Sequence, residues 1–502
     1  MEDWLDPCLD ADEMRAIDRW AIQDRGVPSL ELMELAGRAV AEAAAETAGS
    51  GRAAVICGKG NNGGDGLVAA RALTEMGFEV DALLLAPTGE VSDDARANLD
   101  RFDGARHVDP GELSGAVEGA GVIVDAIFGT GFAGAPRDPA ALAIEAMNAA
   151  PVPVVATDIA SGVNASTGEV EGKAVAADLT VTFHAPKLGQ WVAPGKDHTG
   201  ELRVAPIGIP DGAPGEPRTG LISSRVLELA PHRAAGSTKF SSGQVVIVGG
   251  SRGLTGAVCL AAEAAIRSGA GYATVAVPAD LERIFEVKLT EVMSIGVASR
   301  DGRLRPAASE QILGATERAA CVVLGSGMGR ELGTQRLIQE ITPRIKAPLV
   351  IDADGLNAHA GRIEKLAERR PPLVLTPHAG EMARLLDTDS ESIEEKRLES
   401  AREAARRSGA IVVLKGDDSI VTDGERTAVN AVSSPQLATA GTGDVLSGMM
   451  GALIARGVEP FAATCAAVVA HSRAGRAAGE RIGNDSVIAG DVIDSIPAGL
   501  RP

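Results

Sequence analysis

Short apolar runs alternate with longer amphipathic segments along almost the whole chain. The runs occupy residues 53–57, 121–125 and 152–156 in the first half and residues 245–248, 321–324, 348–351, 373–375 and 411–414 in the second half. Continuous apolar runs of this length are typical of strands buried on both faces of a parallel sheet. The helical segments between them predict crossover connections. The pattern therefore predicts an α/β protein with doubly wound sheets, whose ligands bind beyond the carboxyl ends of the strands.

A stretch rich in proline and glycine interrupts this pattern at residues 210–217. Such stretches mark loops and linkers. We therefore predict one doubly wound domain over residues 1–212, a linker over residues 213–221 and a second doubly wound domain over residues 222–502. Near the start of the chain, Asp10 and Glu13 have the spacing of a helix capping box.

In the first half, polar or glycine-rich segments follow three of the predicted strands. Residues 58–66 read GKGNNGGDG, and Asp125 and Asp158 each end a strand before a turn of small residues. The first segment contains G-x-G-x-x-G with Glu79 roughly twenty residues on, which is the pattern of a dinucleotide-binding dehydrogenase. Against that hypothesis, two asparagines and an aspartate stand where the fingerprint needs small residues. A plain glycine-rich turn is the other alternative, but three strand ends together favour a ligand site.

The most informative segment of the second half is AGTGDVLSG, at residues 440–448. Small residues lead into Asp444 and an apolar helical pattern, which places unpaired N–H groups and one carboxylate at a helix N-terminus. Such a terminus attracts phosphate, and a carboxylate beside it indicates proton abstraction. Lys415, directly after a strand, is placed to meet a phosphate as a point charge. An N-capping turn with an incidental aspartate is the alternative.

Residues at two further strand ends of the second half have two possible roles each. His378 stands between a proline and a glycine, so it is either a structural histidine or part of a site. The segment DADG at residues 352–355 either binds Mg²⁺ through water or caps the following helix, and we favour the cap.

Composition narrows the class of partner. The net charge of −20 disfavours non-specific binding to nucleic acid or to an anionic membrane. The five cysteines are scattered without a C-x-x-C pair, which indicates neither a zinc site nor a disulfide framework. The N-terminus lacks a signal-peptide pattern, and no apolar run reaches about 18 residues. We therefore expect a cytoplasmic protein that acts on small molecules, without a nucleic-acid or membrane partner. A homo-oligomer is a separate expectation that does not follow from these features.

The segments GNNGGDG, DAIFGTGF, DIASG and TFHAPKLG of the first half resemble the NAD(P)H-hydrate epimerase family. The resemblance implies a Rossmann-like fold that is not a dehydrogenase, and a K⁺ ion bound by Asn62, Asp125 and Ser161. Oxygen ligands of these types suit a hard cation. The residues implied to bind the hydrated nicotinamide nucleotide are Asn61, Asn62, Gly63, Gly64, Asp65, Gly129, Thr130, Gly131, Phe132, Ala133, Gly134, Ala135 and Asp158.

The segments GGSRGLTGA, GSGMG, TPHAGE, KGDDS and GTGDVLSG, in this order, resemble the ADP-dependent NAD(P)H-hydrate dehydratase family of the ribokinase-like superfamily. This resemblance implies ADP as a co-substrate, accompanied by Mg²⁺. The residues implied to contact the hydrated nicotinamide are Ala257, Gly327, His378 and Asp444. The residues implied to contact the nucleotide are Lys415, Gly416, Asp417, Asp418, Ser419 and Gly443.

Together the two resemblances imply repair of hydrated nicotinamide nucleotides, NADHX and NADPHX. The first half would interconvert their R and S epimers, with Asp158 as the acid/base. The second half would dehydrate the S form through phosphorylation of its C6 hydroxyl, with Asp444 accepting the hydroxyl proton. The alternative is a ribokinase-like small-molecule kinase, of the vitamin or sugar type, with a non-catalytic metabolite-binding first half.

Overall fold

The structure is a computed structural model that describes residues 2–49, 51–215 and 217–502. The chain divides into two compact units, of which one is Pro7–Thr219 and the other is Gly220–Pro502 together with the chain up to Asp6. Met1 and Ser50 of the predicted first domain, and Glu216 of the predicted linker, lie outside the described residues. The last residues of the predicted linker belong to a strand, Thr219–Ile222.

The unit Pro7–Thr219 is built on a parallel sheet of seven described strands. In spatial order they are Ala105–His107, Glu79–Leu84, Arg52–Cys57, Val122–Ala126, Val154–Thr157, Leu179–Phe183 and Glu201–Ala205. Every neighbouring pair is parallel. Its helices are Ala11–Arg19, Ser29–Ala48, Asn61–Glu75, Asp93–Leu99, Leu113–Val117 and Ala140–Ala149. The predicted α/β class is confirmed in this half.

The first helix begins where the sequence predicts it. The Asp10 carboxylate accepts the N–H groups of Asp12 and Glu13 at 2.9 and 2.8 Å, and the Glu13 carboxylate accepts the Asp10 N–H at 2.9 Å. This capping box satisfies N–H groups that have no partner inside the helix. Met14 and Ile17 are the buried face of the helix.

The second unit is built on a mixed sheet of eleven described strands. In spatial order they are Leu5–Pro7, Thr219–Ile222, Thr427–Val429, Ile420–Thr422, Ile411–Leu414, Leu373–Leu375, Leu349–Ile351, Cys321–Leu324, Gln244–Val248, Tyr272–Pro278 and Met293–Val297. The strands from Ile411–Leu414 to Met293–Val297 are parallel, and the hairpin Ile420–Val429 adds antiparallel pairs. A separate short hairpin joins Ser299–Arg300 to Arg303–Leu304.

Helices cover this second sheet. They are Thr255–Arg267, Glu282–Lys288, Ser309–Thr316, Leu332–Ile341, Asp354–Asn357, Ala379–Leu386, Ser390–Glu395, Arg397–Ser408, Thr442–Ala455, Pro460–Ile482 and Ala489–Gly499. Only 2% of the residues are aromatic, so the core consists mainly of Ala, Val, Leu and Ile, with helices packed closely. A Cβ on Gly448 would lie 2.0 Å from the Ala261 carbonyl oxygen, so glycine is required for this approach. Among the helices of the described residues, none is both long and apolar enough to cross a membrane.

The predicted strand ends are confirmed in both units. The glycine-rich segment follows Arg52–Cys57, and Asp158 follows Val154–Thr157. In the second unit, Asp352 follows Leu349–Ile351 and Lys415 follows Ile411–Leu414. Parallel strands bring their carboxyl ends to one edge of a sheet, and ligands of open α/β sheets bind there.

Candidate active sites

A cavity of about 610 Å³ opens at the strand ends of the unit Pro7–Thr219. The predicted residues that line it are Asn61, Asn62, Asp65, Gly129, Thr130, Gly131, Phe132 and Asp158. The rings of Phe128 and Phe132 stack at 4.3 Å in its wall. Of the other predicted residues, Gly63 and Gly64 are buried in the first turn of a helix, and Ala133, Gly134 and Ala135 continue the loop after Phe132. The cavity has the size and mixed polar and aromatic lining of a cofactor or metabolite site.

The helix Asn61–Glu75 begins at this cavity with open N–H groups. Gly60 is the N-cap residue, and no side chain among the described residues caps the helix. A Cβ on Gly63 would lie 1.9 Å from the Gly58 carbonyl oxygen, so the tight turn requires glycine there. Uncapped N–H groups and the positive end of the helix macrodipole favour an anionic group such as a phosphate.

Asp158 and Lys187 form a buried ion pair at the cavity. Lys187 is 0% exposed, and its Nζ donates to Asp158 Oδ1 at 2.6 Å, to Thr182 Oγ1 at 2.9 Å and to the Phe183 carbonyl oxygen at 2.9 Å. Three acceptors satisfy the three N–H bonds of the ammonium. Asp158 has a positive φ of 66°, and its carbonyl oxygen accepts a 2.7 Å hydrogen bond from Gln190. A non-glycine residue held in the left-handed region is a feature that clusters at functional sites.

Two further carboxyl groups of the cavity hold protons readily. Burial raises the pKa of Asp18 to about 6, although the Lys187 ammonium opposes that shift. Burial also raises the pKa of Asp65 well above its usual range, and the Asp158 carboxylate adds to the effect. The cavity therefore combines one ion-paired carboxylate with two carboxyl groups that protonate easily, an arrangement suited to acid/base chemistry.

The residues implied to bind K⁺ lie together. Ser161 Oγ donates to Asp125 Oδ1 at 2.6 Å, and the Ser161 N–H donates to Asp125 Oδ2 at 2.8 Å. Asn62 donates to the Phe128 carbonyl oxygen at 3.0 Å, and the Phe128 N–H donates to Ser161 Oγ at 2.9 Å. Burial raises the pKa of Asp125 to about 6, and only hydrogen bonds from Ser161 and Ile127 oppose it. A buried carboxylate among neutral oxygens, balanced by hydrogen bonds alone, fits a monovalent cation.

The second unit has a cavity of about 310 Å³ at its own strand ends. Its polar lining includes Lys415, Gly416, Asp417, Ser419, Thr442 and Gly443. Its apolar lining includes Val432, Pro435, Leu437, Leu446 and Val468. A mixed polar and aliphatic lining suits a phosphorylated ligand with an apolar part.

The helix Thr442–Ala455 starts at this cavity, which its first two residues line. Gly441 is its N-cap residue with a φ of 93°, and no side chain among the described residues caps the helix. The positive φ favours glycine at this position. Burial raises the pKa of Asp444 to about 6, and the nearby Asp352 carboxylate contributes. The turn therefore offers open N–H groups for phosphate beside a carboxylate with the basicity of a general base.

A buried ionic cluster, formed by Asp352, Lys415, Glu381 and Ser447, lies beneath this turn. Lys415 Nζ donates to Asp352 Oδ1 at 2.9 Å and lies 3.7 Å from Glu381 Oε2. Ser447 Oγ donates to Asp352 Oδ2 at 2.6 Å. Burial alone would raise the pKa of Asp352, but the Lys415 ammonium and hydrogen bonds hold it below its usual range. We name this set of four residues the Asp352 cluster.

The cluster corrects the expectation for Asp352. The helix Asp354–Asn357 has no side-chain cap among the described residues, so the favoured prediction of a cap is wrong. The Asp352 carboxylate is instead occupied by Lys415 and Ser447, and the Asp354 carboxylate accepts the Gly329 N–H at 2.8 Å. Buried charge requires a partner, and Lys415 supplies it more effectively than the N–H groups of a one-turn helix.

The remaining predicted residues of this unit have different surroundings. A Cβ on Gly327 would lie 3.1 Å from Ala257 Cβ, so these two residues are neighbours. His378 caps the helix Ala379–Leu386, because its Nδ1 accepts the Gly380 N–H at 3.0 Å, and its side chain is 55% exposed. Asp418 is buried in an ion pair with Arg397 at 2.8 Å, which directs its carboxylate to Arg397.

Some residues of the two sites carry no signal in the sequence. Asp18 belongs to the first helix, and Lys187 stands within a segment that the sequence identifies but gives no role. His471 lines the second cavity and is 6% exposed, and its Nε2 has no hydrogen-bond partner among the described residues. Burial lowers the pKa of His471 to about 4, so its ring is neutral near pH 7. Long-range packing alone brings these side chains to the cavities.

Comparison with known proteins identifies both halves. A family model described as NAD(P)H-hydrate dehydratase matches residues 245–498, and one described as YjeF-related protein N-terminus matches residues 29–189. A bifunctional NAD(P)H-hydrate repair enzyme of Moorella thermoacetica is 40% identical over 98% of this chain and 96% of its own length. The corresponding protein of Salinibacter ruber is 38% identical over 98% of this chain and 95% of its own length.

Among solved structures, the chain is similar to an ADP/ATP-dependent NAD(P)H-hydrate dehydratase from Bacillus subtilis. The two are 25% identical over 56% of this chain and 96% of that protein, with a TM-score of 0.49. The family models and the full-length relatives show that this chain belongs to the family of bifunctional NAD(P)H-hydrate repair enzymes.

Proposed function

We propose that this chain repairs NADHX and NADPHX with two active sites. The unit Pro7–Thr219 epimerises the hydrate at C6, and the second unit dehydrates the S epimer at the expense of ADP. The observation that carries the dehydratase half is Asp444, a base with a pKa raised to about 6 by burial, beside the open N–H groups of the Gly441 turn. Family membership supports both halves.

The dehydratase chemistry follows from the poor leaving ability of hydroxide. Asp444 accepts the proton of the C6 hydroxyl as the oxygen attacks the β-phosphorus of ADP, so that an O–P bond forms and AMP leaves. The N–H groups at the start of Thr442–Ala455 stabilise the charge on the transferring phosphoryl group. The lone pair of the ring nitrogen then expels phosphate from C6, a proton leaves C5, and NADH is restored. One ADP becomes one AMP and one phosphate.

The epimerase chemistry assigns the acid/base role to Asp158. Departure of the C6 hydroxyl from one face and return of water to the other require a proton to be given and then taken. Lys187 fixes the Asp158 carboxylate at 2.6 Å. Burial raises the pKa values of Asp18 and Asp65, so these carboxyl groups keep a proton closest to neutral pH and are the cavity's candidate proton donors.

Two metal ions complete the proposal. K⁺ is held by Asn62, Asp125 and Ser161, and when bound it neutralises the Asp125 carboxylate. Mg²⁺ accompanies the nucleotide and neutralises phosphate charge, as is usual for a cation bound largely through phosphates and water. Within the described residues no group of three or more His, Cys, Asp or Glu side chains is placed to hold a metal ion.

We also propose that the protein acts in the cytoplasm as a homo-oligomer. The five cysteines are all free and buried, which suits a reducing compartment. Nucleic acids and membranes are not proposed as partners, because the net charge of −20 repels polyanions.

The experiment that tests the function follows NADH absorbance. Mixed R and S epimers of NADHX are incubated with the protein, with and without ADP, and with ATP in a parallel sample. We expect restoration of NADH only when a nucleotide is present, and the comparison of the two samples identifies the better donor. A stable phosphorylated product without restored NADH would instead indicate the small-molecule kinase.

Replacing K⁺ by Na⁺ should lower epimerisation and leave dehydration of the S epimer unchanged. The Asp125 pKa is raised to about 6, so protons compete with K⁺ for the carboxylate as the pH falls through that value. We therefore expect K⁺ to raise the melting temperature above pH 7 and to have little effect near pH 5. The Asp125→Asn variant should lose this response at both pH values, and an undiminished response in that variant would place the ion elsewhere.

A further inference from the structure

The Asp352 cluster joins three segments that are far apart in the chain. Asp352 comes from the end of Leu349–Ile351, Lys415 from the end of Ile411–Leu414, and Ser447 from the helix Thr442–Ala455. Asp352 is only 2% exposed, and its carboxylate accepts side-chain hydrogen bonds from Lys415 at 2.9 Å and from Ser447 at 2.6 Å. One carboxylate therefore fixes both a cation and a hydroxyl.

The cluster lies directly beneath the phosphate-binding turn. A Cβ on Gly443 would lie 3.5 Å from Lys415 Nζ and 3.8 Å from Asp352 Oδ2. Ser447 Oγ, whose one proton goes to Asp352 Oδ2 at 2.6 Å, also lies 3.0 Å from the Gly443 carbonyl oxygen, which places the turn against the cluster. Glu381 Oε2 lies 3.7 Å from Lys415 Nζ. The ammonium is thus held between two carboxylates.

We propose that Asp352 is a positioning residue for phosphoryl transfer, which holds the Lys415 ammonium and the Ser447 hydroxyl under the Gly441–Asp444 turn. This inference rests on the proposed dehydratase function. Asp352 acts through Lys415 and Ser447, from which it accepts hydrogen bonds. Its second effect is electrostatic, because it places a negative charge close to Asp444.

The direction of that electrostatic effect follows from the charged groups that face Asp444. They are Asp352 and Asp354, which raise its pKa, and Lys415, which lowers it. Glu381 acts on Lys415, whose pKa it raises together with Asp352. Removing the charge of Asp352 takes away a repulsive carboxylate and releases Lys415 toward Asp444, so both changes lower the pKa of Asp444. The decrease of the dehydratase kcat on the acidic side of its pH profile should then occur at lower pH.

The test compares wild type, Asp352→Asn and the control Asp494→Asn, whose carboxylate is exposed on the last helix. For Asp352→Asn we expect the acidic limb of kcat to move down by roughly one pH unit. We also expect the Kd for ADP, measured by calorimetry, to rise roughly tenfold. The reason is that the displaced Lys415 ammonium no longer makes its charged hydrogen bond to a phosphate of ADP. Asp494→Asn should match wild type in both readouts.

The proposal would be overturned if Asp352→Asn kept the wild-type affinity for ADP and if its kcat fell at the same acidic pH as that of the wild type. If that variant does not fold, Ser447→Ala decides, because it keeps the Asp352 charge and removes only the tie to the helix. Ser447→Ala should weaken ADP binding severalfold and leave the pH at which kcat falls unchanged. Unchanged ADP binding in Ser447→Ala would overturn the proposal. A wild-type protein that binds ADP without restoring NADH would reject the proposed function, and the ADP affinities would still test Asp352.

Discussion

Replacing Asp444 by asparagine will lower the dehydratase kcat by about 10²–10⁴-fold, the range that a positioned general base contributes. Asparagine keeps the shape of the side chain but cannot accept the hydroxyl proton. The open N–H groups of the helix Thr442–Ala455 come from the backbone and remain. We therefore expect ADP to bind with near wild-type affinity, so that turnover and nucleotide binding separate in this variant.

The pH profile provides a second readout for Asp444. Its pKa is raised to about 6, so the base is ionised above that pH and protonated below it. The wild-type rate should fall as the pH drops through about 6, and this decrease should be absent from the residual activity of Asp444→Asn.

The raised pKa of Asp444 also means that the ionised carboxylate opposes folding at neutral pH. The variant should unfold at a temperature at least as high as wild type above pH 7, which excludes unfolding as the cause of lost activity. A wild-type rate in Asp444→Asn would reject the assignment.

Replacing Asp158 by asparagine will remove most epimerisation and leave dehydration of the S epimer intact. The variant loses the acid/base group, while the second unit keeps all of its proposed catalytic residues. With mixed epimers and ADP, the wild type should restore nearly all of the hydrate, and Asp158→Asn should stop near the fraction that began as the S epimer. Restoration of the R fraction at the wild-type rate would contradict the acid/base role.

Stability must be measured alongside this variant, because Lys187 is buried. Removing one member of a buried ion pair typically costs about 3–5 kcal/mol, since the other charge is left unpaired. The double variant Asp158→Asn, Lys187→Met removes both charges and is the matched control. It should regain stability relative to the single variant without regaining epimerisation. Recovery of activity in the double variant would mean that the single variant fails through misfolding alone.

The sequence predicts the parts of both sites that depend on local pattern. Buried strands appear as apolar runs, and the turns that follow them appear as glycine-rich or acidic segments. The segment 58–66 therefore follows a strand in the structure, and the turn before Asp444 begins a helix, as predicted. Chain topology alone brings such ends to one edge of a parallel sheet.

The sequence does not predict the partners that packing brings to these segments. Lys415 and Asp352 are 63 residues apart, and Ser447 and Asp352 are 95 residues apart, so no local spacing reveals their contact. The cap expected from the segment 352–355 is wrong for this reason, since the distant lysine occupies the carboxylate. Asp18 and Lys187 are likewise drawn to the first cavity by long-range packing. The burial that raises the pKa values of Asp18, Asp65 and Asp444 is a property of the fold alone.

In the proposed dehydratase reaction the phosphoryl group activates the hydroxyl and then leaves. A stoichiometric assay can follow this by counting inorganic phosphate and AMP formed for each NADH that the wild-type protein restores from NADHX and ADP. We predict one phosphate and one AMP per NADH, with no lasting phosphorylated nicotinamide product. Accumulation of a phosphorylated product in place of phosphate, or restoration of NADH without consumption of nucleotide, would contradict the account.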